Sequence, residues 1–140
     1  MGRTFSVERL IRFSDCDPGG IVYFANFFDM CNCAVEDWFT EVIGMTFHEI
    51  NLVRRWGFPI VDTSCRFFKP CWLSDRLKLT LAIARLGGSS IEFAIQGAVK
   101  DEEKFRARHK VAMISLDTYR AIPIPHDLRA QMEAYVAPQP

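Results

Sequence analysis

No block of five or six like charges occurs in this sequence, and its 17 basic residues cancel its 17 acidic ones. The broad field that attracts nucleic acid or an anionic membrane is therefore missing, so a small molecule or a second copy of the chain is the expected partner. Apolar runs are short too. None approaches the roughly 18 uninterrupted residues that a bilayer-spanning helix needs, and Met1-Gly2-Arg3-Thr4-Phe5 has no apolar leader core. A cytoplasmic location is the expectation. Cysteine is sparse, and Cys16, Cys31, Cys33, Cys65 and Cys71 form no C-x-x-C unit, which argues against a disulfide framework or a zinc site. Cys31 and Cys33 stand two apart on an expected helix, point to nearly opposite faces, and read as small core residues. No metal and no cofactor are expected.

What is present is apolar mass. Hydrophobic residues make up 49% of the 140 positions and 12 of them are Phe, which is the composition of a single packed domain with apolar surface to spare for an oligomer interface. Phe5 to Phe13 alternate with the period of a strand. Ser14 to Gly20 then collect Asp, Pro and glycine, the chemistry of a turn. From Ile21 to Ile43 the apolar positions Phe24, Phe27, Phe28, Cys31, Ala34, Val35, Trp38, Phe39 and Val42 recur at helical steps, and Gly44 is suited to a left-handed cap. Met45 to Trp56 is mixed, with a short helix possible. Alternating runs follow over Phe58 to Lys69, Arg76 to Leu86 and Ser89 to Lys100, the last two joined by Gly87-Gly88. A final strand over Lys104 to Leu116 follows a turn at Asp101-Glu102-Glu103. Pro123 and Pro125 close the strand region, and His126 to Val136 has room for one or two terminal helical turns. One strand, one long helix and a four-strand meander define an α+β class with a mainly antiparallel sheet.

Chemistry concentrates where the Asp-rich turn meets the long helix. The first amides of a helix lack intrahelical partners and carry its positive dipole end, so a carbonyl oxygen could be polarised by the amides around Tyr23 and Phe24. Asp17 lies just ahead. A carboxylate there can attack an activated acyl group or deprotonate the water that does so. The same residue can equally be a turn former that bonds its own backbone or caps the helix. Of the histidines, His109 falls on the apolar face of the last strand and reads as a core or interface residue. His48 and His126 read as surface residues near helix starts.

The run Asp17-Pro18-Gly19-Gly20-Ile21-Val22-Tyr23-Phe24-Ala25-Asn26-Phe27-Phe28 resembles the signature of the 4-hydroxybenzoyl-CoA thioesterase family. The likeness continues through Phe13-Ser14-Asp15-Cys16-Asp17, Gly57-Phe58-Pro59-Ile60-Val61 and Ser74-Asp75. It implies the hotdog fold, an antiparallel sheet of five or six strands wrapped around a long central helix, assembled as a homodimer or homotetramer. It also implies an acyl-CoA substrate, Asp17 as nucleophile or general base, and the backbone amide of Phe24 as the oxyanion donor. Tyr23, Asn26, Pro59, Arg85 and Ser90 would then bind substrate. The aromatic cluster of Tyr23, Phe24, Phe27 and Phe28 permits an aryl acyl group. The corner Arg85-Leu86-Gly87-Gly88-Ser89-Ser90 departs from the family pattern in having one basic residue. Coenzyme A anchoring there would rest on Arg85 with charges such as Lys69, or the thiol carrier would be acyl carrier protein.

Two enzyme readings fail on pattern. Asp15-x-Asp17 imitates a haloacid-dehalogenase-type phosphatase, but such a fold alternates strands with helices. A hotdog dehydratase needs a catalytic histidine near the central helix start, and His48, His109 and His126 all lie outside that region; Ala25, where some relatives carry a histidine after the aromatic pair, excludes a His-assisted variant at that position. A non-catalytic acyl-thioester-binding protein remains the rival.

Overall fold

The computed structural model describes residues 2–138. Five strands form one antiparallel sheet: β1 (Phe5–Leu10), β3 (Ile60–Phe67), β4 (Arg76–Leu86), β5 (Ser90–Val99) and β6 (Glu102–Ala112), in the order β1-β4-β5-β6-β3. A two-stranded ladder pairs β2 (Trp56–Gly57) with β7 (Ile114–Ser115). Period-two alternation puts Leu77, Leu79, Leu81 and Ile83 of β4 beside Ile91, Phe93 and Ile95 of β5 on one buried face. Each such fully buried side chain contributes about 1.5–3 kcal/mol. The face is covered by α1 (Asn26–Trp38), which buries Phe27, Met30, Cys31, Ala34, Val35 and Trp38. Trp38 anchors the far end, with its ring centroid 5.3 Å from Phe93 and 5.9 Å from Tyr135. Phe27 anchors the near end against Phe67 at 5.3 Å and Phe105 at 4.9 Å.

The boundaries differ from expectation where backbone hydrogen bonds are diverted. The first strand stops at Leu10 rather than Phe13, because Ile11 N–H donates to Asp75 and a 3-10 turn forms over Phe13–Asp15. The central helix begins at Asn26 rather than Ile21, since Ile21 and Val22 are extended and bridge Trp72 and Cys16. It continues past Trp38 as a wider π-type turn over Phe39–Ile43, closed by Gly44 at φ 82° as its sequence suggested. A second π-type turn occupies His48–Val53. The expected turn at Asp101-Glu102-Glu103 is shorter: Lys100 and Asp101 both have positive φ, 50° and 66°, so Val99 pairs directly with Glu102. This is the two-residue hairpin whose twist matches its strands. The terminal helix α2 spans His126–Glu133. No helix among the described residues is long and apolar enough to cross a membrane.

β3 is an edge. Among the described residues it pairs only with β6, and seven of its eight residues are exposed, including Ile60, Val61 and Phe67. An unpaired strand edge with apolar side chains is a template for another strand.

Candidate active site

The loop that carries Asp17 is held from three sides. Cys16 and Val22 bridge across it, with Asp17 N–H donating to Ile21 at 2.9 Å and Tyr23 N–H to Asp15 at 3.0 Å. Val22 N–H reaches Cys71 at 2.9 Å and Leu73 N–H reaches Gly20 at 3.0 Å, which fastens the loop to the segment before β4. Gly20, at φ 83°, takes the left-handed turn that a side chain would disfavour.

Asp15 and Asp17 have separate employment. Asp15 is buried; one carboxylate oxygen accepts from Arg9 at 3.1 Å and the other from the Arg12 amide at 2.9 Å. Its backbone carbonyl also accepts from the Asn26 side-chain amide at 2.8 Å. Asn26 therefore fastens the loop to the helix start with the NH2 group of its amide. Asp17 is half-buried, and only Oδ1 is engaged, accepting from Gly19 N–H at 2.8 Å. The turn-forming role is thus present, and it leaves Oδ2 unpartnered among the described residues.

The donor side is narrower than the sequence suggested. Tyr23 N–H is consumed by Asp15, whereas Phe24 and Ala25 amides have no hydrogen-bond partner among the described residues. The first helical bonds run from Asn26 to Tyr23 at 2.9 Å and from Phe27 to Phe24 at 3.2 Å, which makes Phe24 and Ala25 the free first-turn donors. Tyr23 and Phe24 expose their rings, stacked obliquely at 5.1 Å, and Trp72 and Leu73 are exposed beside the same loop.

The remaining expected residues are elsewhere. β1 pairs Leu10 with Arg76, so the start of β4 is at the Asp17 end, while Arg85 is near its other end. Eleven residues of strand separate those ends by about 35 Å. Ser90 pairs with Ala112, whose amide donates to Pro59 at 3.1 Å, so Pro59, Arg85 and Ser90 group at the end away from Asp17. Lys69 is tied to Glu102 at 2.9 Å, which also binds Lys104 at 2.7 Å. Hydrogen bonds from Lys104 and then Lys69 hold the Glu102 carboxyl down to about 2.

Beyond Pro59 and its neighbours, sequence reasoning missed the rest of an apolar groove of ≈ 630 Å³, lined by Phe47, Phe58 and Ile60 together with Asn32, Asn51 and Tyr119. Its residues come from five segments with no shared motif. His109 is fully buried as expected, with Nδ1 3.5 Å from Thr63 Oγ1 and Nε2 unpaired.

A five-stranded antiparallel sheet packed on one long helix is the hotdog architecture. The chain belongs to the thioesterase-like superfamily, whose family model matches residues 11–132. It is 30% identical over 124 residues to a 1,4-dihydroxy-2-naphthoyl-CoA hydrolase of Synechocystis sp., covering 87% of this chain and 89% of that one. A structure of a 1,4-dihydroxy-2-naphthoyl-CoA thioesterase from Synechocystis superposes with a TM-score of 0.84 at 26% identity, over 93% and 96% of the two chains. A thioesterase-superfamily structure from Jannaschia sp. shares the fold with a TM-score of 0.90 at 24% identity, over 96% and 94%.

Proposed function

We propose that this protein hydrolyses an aromatic acyl-CoA thioester to the free acid and coenzyme A, with Asp17 as nucleophile or general base. The observation that carries the reading is the pairing within one loop of a carboxylate having one pinned and one free oxygen with the free Phe24 amide. The thioester oxygen accepts from Phe24 N–H as negative charge develops on it. Asp17 Oδ2 either bonds to the carbonyl carbon, expelling the thiolate and leaving a mixed anhydride for water, or takes a proton from the attacking water. The naphthoyl substrate of the Synechocystis relative and the exposed aromatic rings at the loop support an aryl acyl group.

The free β3 edge supports a homodimer in which two such edges pair antiparallel about a two-fold axis. Ile60 of one chain would then lie toward Phe67 of the other, bringing the Pro59 groove of each chain beside the other's Asp17 loop. That arrangement unites the two halves of the site, and the groove's size and apolar walls suit an aromatic ring.

The test is a thiol-release screen of the purified protein against naphthoyl-, benzoyl- and short aliphatic acyl-CoA esters. Release fastest from an aryl ester is expected. Tight binding of all three with no thiol released would make the protein an acyl-thioester binder instead.

A further inference from the structure

We propose that Arg66, Arg106 and Arg108, on the outer face of β3 and β6, hold the nucleotide phosphates of the coenzyme A substrate; this rests on the thioesterase reading above. Arg66 stands directly opposite Arg106 in the ladder, and Arg108 opposite Ser64. Strand alternation turns all three away from α1, because Phe105, Ala107 and His109 occupy the buried face. Together with Ser64 and Phe68 they line a groove of ≈ 590 Å³, and the Arg106 guanidinium is 5.8 Å from the Phe68 ring centroid.

The charges there are not balanced. Glu103 pairs with Arg106 at 2.6 Å and Glu92 with Arg108 at 3.3 Å, while Arg66 has no ion-pair partner among the described residues. Like charges directly opposite on neighbouring strands are destabilising, so an uncompensated Arg66 facing Arg106 suits a site that an anion completes. Guanidinium forks match phosphate oxygens in geometry as well as charge.

The groove is also on the path from the reacting centre. Phe67 turns inward onto Phe27, and Phe68 turns outward beside Arg106. The chain then runs to Cys71, whose carbonyl takes the Val22 amide in the Asp17 loop. Four residues of extended chain span at most about 14 Å, a distance that a pantetheine arm bridges. The Phe68 ring offers the adenine a stacking face.

The experiment compares one acyl group carried on coenzyme A and on pantetheine, for the wild type and Arg66→Gln, with sedimentation to follow assembly and calorimetry with adenosine 3′,5′-bisphosphate. Wild type should favour the coenzyme A ester through KM, and Arg66→Gln should raise that KM about tenfold while leaving the pantetheine ester unchanged. The bisphosphate should bind the wild type and bind the variant more weakly. Equal use of both esters by the wild type, equal loss on both in the variant, or a changed assembly mass would overturn the proposal. If the wild type cleaves neither ester, the thioesterase reading fails by itself, and the calorimetry still decides whether the arginines bind phosphate.

Discussion

Replacing Asp17 by Asn separates catalysis from architecture. The amide oxygen of Asn can keep accepting the Gly19 N–H that Oδ1 now takes at 2.8 Å, so the turn and the bridge between Cys16 and Val22 should survive. What disappears is the negative charge and basicity of the free oxygen. Losing a general base costs on the order of 10² to 10⁴ in turnover, which is about 2.7–5.5 kcal/mol on the barrier, and losing a nucleophile costs more. The assay is kcat for thiol release at saturating ester, alongside the melting temperature. Asp15→Asn is the control, because Asp15 is buried under Arg9 and the Arg12 amide. Disturbing that pair should cost about 1–3 kcal/mol of stability and lower the melting temperature, while kcat per folded protein stays near wild type. If Asp17→Asn retains activity within a few-fold, or if its loss of rate tracks a loss of folding, the assignment of Asp17 is wrong.

Burial holds His109 below its ordinary value of 6.5, so the folded state binds its proton less readily than the unfolded chain does. Stability should therefore fall as pH drops through and below that value, and urea midpoints at pH 7.5 and 5.5 should converge in His109→Gln. Burial pushes the thiols of Cys31 up to about 12 and of Cys65 and Cys71 up to about 11. Mass-resolved alkylation at pH 8 should mark the half-buried Cys16 and Cys33 first and leave Cys31 and Cys71 for the denatured chain. A side chain at Gly97 would collide with the Phe105 ring, which packs on Phe27 at the helix start. Gly97→Ala should cost about 1–3 kcal/mol by overpacking, read in denaturant melts, and a melting curve equal to wild type would show that Phe105 has room to move.

The sheet was legible because β4 and β5 alternate strictly, from Leu77 to Ile83 and from Ile91 to Ile95, and a half-buried strand cannot hide that period. The helix was legible in its body and not at its start. Ile21 and Val22 continue the apolar pattern, yet their backbone is drawn into bridges with Trp72 and Cys16, partners that lie outside any local window. The turn at Lys100-Asp101 carries neither Gly nor Asn, so its positive φ values left no mark. At the site, the motif marked Asp17 and Phe24, but only coordinates reveal that Tyr23 spends its amide on Asp15 and that Asn26 spends its NH2 there. Of the groove beside Pro59 only the segment Gly57-Phe58-Pro59-Ile60 was marked in the sequence, since Asn32, Phe47, Asn51 and Tyr119 are its neighbours only after folding.

In the proposed dimer each site takes its Asp17 loop from one chain and its Pro59 groove from the other, which has a genetic consequence. Under the proposed two-fold axis, a chain disabled at Asp17 and a chain whose groove is filled, for example by Asn32→Trp, are each dead as homodimers. Mixed, they form hybrids in which one site collects both defects and the other collects none. Random exchange between equal amounts would restore roughly a quarter of wild-type activity. Two null alleles of this one gene would then rescue each other.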